Sequence, residues 1–232
     1  MHPTDKAARI VGAVFLFMSV FAIFGLIYVP GKLIVRGNAT ATVENILNHE
    51  TLFSLAIISE LFSKVIFIWL GFALYRLLSD VNKTWAQLMV AFVLVSAALG
   101  FVSALNNIAA LTLFRGADFL SVFDKPQRDA LGVMFIRLHG RGQIINEILL
   151  GAYIFPFGLL VFRSGFLPRF LGVWVIVNGF AWLPLSITAL IFPLYYDVAF
   201  RIAVPILLGE VVTFLWLLIR GAKVSPSAIA AA

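Results

Sequence analysis

The chain has 232 residues, of which 62% are hydrophobic and 12% carry a charge. Soluble domains are about 45–50% apolar and about 25% charged, so a water-soluble globular domain is excluded. Intrinsic disorder, which needs the opposite composition, is excluded as well. The chain has no cysteine, which rules out disulfides, thiolate nucleophiles and cysteine-ligated metals. The net charge of +6 suits an anionic membrane surface. The sequence has no basic stretch interleaved with aromatic residues, so it gives no indication of nucleic-acid binding.

Six apolar runs predict six transmembrane helices, because about 20 apolar residues are enough for a helix to cross the hydrocarbon core. In chain order they cover residues 10–29, 52–78, 85–114, 141–162, 170–192 and 202–219. The predicted fold is an all-α polytopic membrane helix bundle, with a single domain over residues 1–222 and a flexible tail at 223–232. The first run is too long to be the apolar core of a signal peptide.

Prolines divide these runs. Pro30-Gly31 is expected to end the first span. Pro168 is expected to open the fifth span, where its fixed φ suits a first helical turn, and Pro193 to close it.

The stretch between the third and fourth spans, residues 115–140, is the longest connection and is predicted to lie outside the cell as a loop or helix. Asp124, before Lys125-Pro126, has the residue type of an N-cap. A single helix from Pro126 to Phe162 would be about 55 Å long, against a hydrocarbon core of about 30 Å. We therefore expect this helix either to project outward or to break near Gly140 and Gly142.

The segments that connect the spans alternate between the two sides of the membrane. Lysine and arginine are denser in the segments on the same side as the N-terminus than in those on the opposite side. Positive charge is enriched in cytoplasmic loops, so we expect both termini in the cytoplasm.

Polar side chains occur inside the spans, where an ionisable group costs a few kcal/mol and usually meets a partner or water. Counted by helical rise, they begin near the midplane and continue to the outer surface, while the inner half of each span is nearly free of charge. This distribution predicts a polar pocket that opens outward. Its candidate binding residues are Glu60, Lys64, Asn107, His139, Arg141, Glu147, Asn178 and Glu210.

The pairing of these charges has alternatives. Glu60 and Lys64 have the i,i+4 spacing of an intrahelical ion pair, which is compatible with a structural pair or with a site. Glu147 and Glu210 have no partner in their own spans, so they must find one across helices or lose their charge. The bases available are Lys64, Arg137 and Arg141, although both arginines could instead snorkel at the interface.

Small and polar residues follow helical spacing in the third span, at Ser96, Gly100, Ser103 and Asn107. Small residues allow close approach of helices in membranes, and polar ones bond across them. This face is therefore compatible with packing as well as with a pathway.

Motifs of known chemistry are missing from the sequence. It contains no phosphate-binding G-x-x-x-x-G-K-[ST], no G-x-S-x-G and no H-E-x-x-H, and the three histidines lie in separate segments. We therefore assign no catalytic residue and no metal ligand, leave the cofactor open, and expect a protein that is not an enzyme.

Several segments resemble a family of bacterial multi-pass membrane proteins, domain of unknown function 4386. They are residues 8–12, the loop NATATVENILNHETL at 38–52, Leu138-His139 with Gly142, residues 145–147, the run FPFGLLVFRSGFLPRFLG at 155–172, and residues 209–221 ending in WLLIRG. The resemblance implies an integral membrane protein of six or seven helices, in the bacterial inner membrane. It implies no activity, cofactor or catalytic residue.

Three functions fit these observations. The first is binding or transport of a small molecule or proton in the polar pocket. The second is an accessory subunit whose intramembrane charges meet a partner membrane protein. The third is an intramembrane enzyme with Glu147 or His139 as general base.

Overall fold

The computed structural model describes residues 3–222, so the predicted tail at 223–232 lies outside the described residues. Within that range the chain is helical and contains no strand. The helices are α1 (Pro3–Ile23), α2 (Val29–Leu33), α3 (Ala39–Asn48), α4 (Glu50–Leu78), α5 (Lys83–Arg115), α6 (Lys125–Arg163), α7 (Arg169–Ile191) and α8 (Tyr196–Arg220).

Six continuous helical stretches are long and apolar enough to cross a membrane. They are Thr4–Leu33, Glu50–Leu78, Lys83–Arg115, Lys125–Arg163, Arg169–Ile191 and Pro193–Arg220. The prediction of six transmembrane helices is confirmed, and their bounds depart most from the apolar runs at the start of the first, fourth and sixth spans. The chain is a multi-pass membrane protein, and its apolar helices contact the lipid bilayer.

The first span does not end at Pro30-Gly31, so this prediction is wrong. A π-helical turn, Phe24–Tyr28, joins α1 directly to α2, and Pro30 lies in the first turn of α2. Proline has no N–H to donate to the preceding turn, and the π-helical turn directly before it is the local departure from a regular α-helix at this position. The span ends at Leu33, and Ile34 has an extended backbone with φ −92° and ψ 113°.

The fourth span is one unbroken helix of 39 residues, α6. The predicted N-cap at its start is confirmed, because the Gln127 backbone N–H donates to Asp124 Oδ1 at 2.8 Å. Gln127 Oε1 accepts in turn from the Asp124 backbone N–H at 3.1 Å, which completes a capping box. The alternative break near Gly140 and Gly142 does not occur, and the helix is about 58 Å long.

The fifth span begins at Arg169, one residue before the predicted start at residue 170 and one residue after Pro168, which is expected in its first turn. Pro168 is the N-cap of α7, with an extended backbone, and the first helical residue is Arg169. Pro193 lies just beyond the end of α7 and opens a short 3-10 turn, Pro193–Tyr195, which confirms that the span closes there.

Two compact units make up the described part of the chain. Unit I contains residues 3–17, 66–97 and 144–222, and unit II contains residues 18–65 and 98–143. Helices α4, α5 and α6 contribute residues to both units. The expectation of a single domain over residues 1–222 stays a prediction.

Unit II has its own hydrophobic core, in which the short helix α3 buries Val43 and Ile46. Asn38 caps α3 by accepting the Ala41 backbone N–H at 3.0 Å, and Asn45 Nδ2 donates to the Leu33 carbonyl at 3.3 Å. Arg115, at the end of α5, forms an ion pair with Glu50, the first residue of α4. These contacts fix one end of each helix that carries the polar residues of this unit.

Unit I is closely packed through glycines. A Cβ on Gly172 would lie 2.5 Å from the backbone of Phe162, and a Cβ on Gly12 would lie 2.6 Å from the Leu218 nitrogen. These distances are far below van der Waals contact, so only glycine allows the helices to come this close.

Candidate functional site

A hydrogen-bonded network joins α4 and α6 inside unit II. His139 Nε2 lies 3.0 and 3.1 Å from the two carboxylate oxygens of Glu60. Gln143 Nε2 donates to Glu60 Oε1 at 2.8 Å. Gln143 Nε2 also lies 3.2 Å from His139 Nε2, and whether His139 Nε2 donates to Glu60 or accepts from Gln143 depends on the imidazole tautomer. Glu60 is 1% exposed and His139 is 9% exposed, so the network is buried within the unit.

Lys64 lies one helical turn after Glu60 and is also buried, with 9% of its surface exposed. Its ammonium forms no hydrogen bond and no ion pair with any residue that the structure describes. The expected intrahelical ion pair between Glu60 and Lys64 is therefore not formed, because the carboxylate is engaged by α6. The buried side-chain atoms that lack a hydrogen-bonding partner within residues 3–222 are Arg128 Nε, Asn178 Oδ1 and Trp182 Nε1. Lys64 Nζ is not among them, so this nitrogen reaches accessible surface.

The side chain of Lys64 lies over a glycine of α5. A Cβ on Gly100 would lie 2.5 Å from Lys64 Cε and 2.8 Å from Lys64 Cδ. Farther along the same face, Ser103 and Asn107 are buried, and the Ser103 hydroxyl occupies the space that a Cβ on Gly142 would need. The predicted small and polar face of α5 thus accommodates the lysine and part of α6.

The π-helical turn approaches α4 at the same level. Gly25, within this turn, is buried, and a Cβ there would lie 2.7 Å from the Ala56 carbonyl and 2.9 Å from the Glu60 nitrogen. Ser59 donates its hydroxyl proton to the Phe21 carbonyl at 3.1 Å. π-helical turns are frequent at functional sites, and here the turn packs against the backbone that carries Glu60.

Glu147 has partners from two other helices of unit I. Tyr196 donates its phenolic proton to Glu147 Oε1 at 2.8 Å, and Ser186 donates to Glu147 Oε2 at 3.3 Å. The expectation that this acid finds a partner across helices is confirmed, and the groups bonded to it are neutral hydroxyls.

Glu210 of α8 accepts a hydrogen bond from the Tyr153 hydroxyl of α6, also within unit I. The Tyr153 ring is fully buried and packs edge-on against Phe67, with 5.2 Å between ring centroids. Nearby in the sequence, Phe157 stacks on Phe214 at 5.3 Å. Glu210 therefore also finds its partner across helices, among aromatic side chains.

The remaining candidates have separate environments. Asn178 Nδ2 donates to the Leu207 carbonyl at 3.0 Å, while Asn178 Oδ1 has no partner among residues 3–222. Arg141 is exposed, and Asn107 is buried on α5.

The structure thus brings Glu60, Lys64 and His139 together in unit II. Glu147 and Glu210 share no hydrogen-bonding partner within the described residues. A single chamber lined by all eight candidates stays a prediction. The three cavities that stand out within residues 3–222, of about 660, 460 and 350 Å³, are lined by other residues.

Four partners were missing from the candidates chosen by sequence. Gln143 follows His139 by one turn, so helical spacing could have added it. Tyr153, Tyr196 and Ser186 are 57, 49 and 39 residues from the acids that they contact, and nothing in the local sequence links them. Within the described residues, no three His, Asp or Glu side chains come close enough to hold a metal ion.

Comparison with known proteins gives a family that agrees with this architecture. The profile described as "Domain of unknown function (DUF4386)" matches residues 10–221. The chain belongs to the DUF4386 family. This confirms the resemblance carried by the segments named above, and the match covers all six spans apart from the first turns of the first span.

A relative of this DUF4386 protein occurs in Archaeoglobus fulgidus, under the name "Uncharacterized protein". It is 32% identical over 155 residues, which are 66% of this chain and 75% of the relative. No solved structure matches the chain. The relative comes from an archaeon, so likeness to this chain is not confined to bacterial proteins.

Proposed function

We propose that this DUF4386 protein binds a small polar solute within the membrane, and that an anionic group of the solute contacts the Lys64 ammonium. The observation that carries the proposal is the burial of Lys64 without a bonded partner among the described residues. An ionisable side chain inside a membrane costs free energy, so it is retained where it has a use. A bound anion would supply the missing partner.

The charge of the surrounding network supports an anion rather than a cation. Glu60 already has His139 and Gln143 as hydrogen-bonding partners, whereas Lys64 has none within residues 3–222. The group left without a partner is the positive one. Ser103 and Asn107, buried on the α5 face that contacts Lys64 through Gly100, could donate further hydrogen bonds to a small carboxylate.

We place the entrance on the side opposite the N-terminus, in the orientation that the density of lysine and arginine favours. A transporter would carry the solute from this entrance, with or without a proton. If the protein were instead an accessory subunit, a carboxylate of a partner helix would take the place of the solute, and that partner would co-purify in mild detergent.

Thermal unfolding of the purified protein in detergent tests the proposal. The probes are sodium formate, acetate, lactate and succinate, each compared with sodium chloride at equal ionic strength. We expect at least one carboxylate to raise the unfolding temperature, since a ligand at 100 times its Kd adds about 2.7 kcal/mol of stability. Lys64→Met should lose this response while unfolding at the same or a higher temperature, because an apolar side chain replaces an ionisable one inside the membrane.

The matched control is Lys83→Met, which removes an exposed lysine at the start of α5 and should keep the full response. The proposal is wrong if no carboxylate stabilises the wild type more than chloride does. It is also wrong if Lys64→Met responds as the wild type does.

A further inference from the structure

A cavity of about 660 Å³ lies in unit I, apart from the Lys64 network, and is lined where three spans begin or end. Arg76 lies in the last turn of α4, and Arg163 is the last residue of α6. Thr4, near the start of α1, and Asp80, just after α4, also line the cavity. Because these residues flank apolar segments, the cavity lies where the headgroup region of a bilayer meets the protein.

The charged side chains of this cavity are unpaired. Neither Arg76 nor Arg163 forms an ion pair or a hydrogen bond with any residue between 3 and 222, and the same holds for Asp80. Arg76 and Asp80 have the i,i+4 spacing of a helical pair but do not use it, because Asp80 lies in the turn beyond α4. Two guanidinium groups and one carboxylate therefore line one cavity, and none of the three forms a hydrogen bond or ion pair with another residue between 3 and 222.

This set of charges matches one kind of headgroup. Guanidinium groups bind phosphate through two parallel hydrogen bonds, which gives both strength and geometry. A carboxylate binds a primary ammonium, which offers three N–H donors. Leu77, Val81 and Phe166 supply an apolar part of the lining. The volume is within the usual range for small-ligand sites, about 300–1,000 Å³.

We infer that this cavity binds the phosphoethanolamine headgroup of a membrane phospholipid, with the phosphate on Arg76 and Arg163 and the ammonium on Asp80. A phosphatidylglycerol headgroup would leave Asp80 unpaired beside a negative charge. A phosphatidylcholine headgroup has no N–H to donate to Asp80. The inference is independent of the solute site at Lys64, because it uses none of the same residues.

Native mass spectrometry of the delipidated protein in detergent tests this inference with phosphatidylethanolamine, phosphatidylglycerol and phosphatidylcholine of equal acyl chains. We expect the wild type to retain phosphatidylethanolamine best. Arg76→Gln and Arg163→Gln should each weaken that binding about tenfold, the size expected for loss of a hydrogen bond to a charged group. Asp80→Asn should keep phosphate recognition but favour phosphatidylglycerol. Arg220→Gln, an exposed arginine in the last turn of α8 outside the cavity, is the matched control and should bind as the wild type does.

Three results would overturn the inference. The wild type could bind phosphatidylglycerol as tightly as phosphatidylethanolamine, or Arg220→Gln could lose as much binding as Arg76→Gln. Soluble phosphoethanolamine or inorganic phosphate could displace the lipid completely at millimolar concentration, which would identify the ligand as a soluble phosphate compound. None of these results bears on the Lys64 site, so the two proposals fail separately.

Discussion

The two units hold their intramembrane acids in different ways: Glu60 is buried, whereas Glu147 and Glu210 are half-buried. In unit I, Glu147 and Glu210 accept hydrogen bonds from the neutral hydroxyls of Tyr196, Ser186 and Tyr153. In unit II, Glu60 is bonded to an imidazole and an amide, and Lys64 on the same helix is left without a bonded partner among the described residues. Both arrangements lie inside apolar helices. Only the one in unit II includes a charged side chain that has no bonded partner among the described residues.

This difference separates two uses of a polar group in a membrane. A hydroxyl that donates to a carboxylate connects two helices, as expected of interhelical hydrogen bonds in membranes. A lysine inside the membrane without a bonded partner among residues 3–222 costs free energy, as is typical of a residue retained for function. We therefore propose packing roles for Glu147 and Glu210, beside the proposed binding role of the group around Lys64.

The largest effect is expected at Glu60. Glu60→Ala leaves His139 and Gln143 without their acceptor and removes the negative charge nearest to Lys64. Leaving a buried hydrogen-bonding group without its partner costs about 1–3 kcal/mol, and this change does so for two side chains. An unfolding titration of the detergent-solubilised protein would detect this loss. Glu60→Gln, which keeps one acceptor oxygen, should lose less than half as much stability.

The control for this measurement is Glu44→Ala, at an exposed position of α3, and it should leave the unfolding free energy unchanged. An equal loss in Glu60→Ala and Glu44→Ala would contradict the importance of the buried network.

Substitutions at two glycines should distinguish an effect on helix packing from an effect on ligand binding. Gly172→Ala places a Cβ against the Phe162 backbone, which cannot move aside, and should cost about 2 kcal/mol as an overpacked core does. Gly100→Ala meets only the flexible end of Lys64, so its stability loss should be smaller. Because it displaces the ammonium, however, Gly100→Ala should abolish the carboxylate response. The reverse order of the two stability losses would show that the Lys64 side chain is held rigidly.

The smallest effect is expected at Tyr153. Tyr153→Phe keeps the ring against Phe67 and removes the proton donated to Glu210, so the unfolding free energy should fall by about 1 kcal/mol. The response to carboxylates should stay at the wild-type level. Tyr75→Phe, whose hydroxyl has no bonded partner among the described residues, serves as the control. If Tyr153→Phe lost the carboxylate response, the packing role proposed for Glu210 would be wrong.

Membrane placement could be predicted from the sequence because it depends on local properties. An apolar run of about 20 residues has few alternatives to a transmembrane helix, and the N-cap at Asp124 depends on residues within one turn. The end of the first span was predicted wrongly because Pro30 usually stops a helix, whereas a π-helical turn before it lets the helix continue to Leu33.

The candidate site was predictable only in part. Depth along the spans singled out Glu60, Lys64 and His139, which the structure brings together. The depth of these residues could not show that Glu60 forms hydrogen bonds with α6 and no ion pair with Lys64, because the two arrangements differ only in tertiary contacts. Nor could it assign tyrosines to Glu147 and Glu210, since those pairs join positions about 50 residues apart.

The most direct test of the central claim is whether water reaches position 64. The chain has no cysteine, so Lys64→Cys and Val65→Cys each introduce a unique thiol at the same depth of α4. Val65 is 44% exposed, on the apolar surface of the protein, and a thiol becomes reactive only as the thiolate, which needs a polar environment. With a membrane-impermeant methanethiosulfonate added to intact cells, we expect the Lys64→Cys variant to be labelled and the Val65→Cys variant to stay unlabelled. Equal labelling of both variants, or no labelling of Lys64→Cys from either side of the membrane, would contradict a solute site at Lys64.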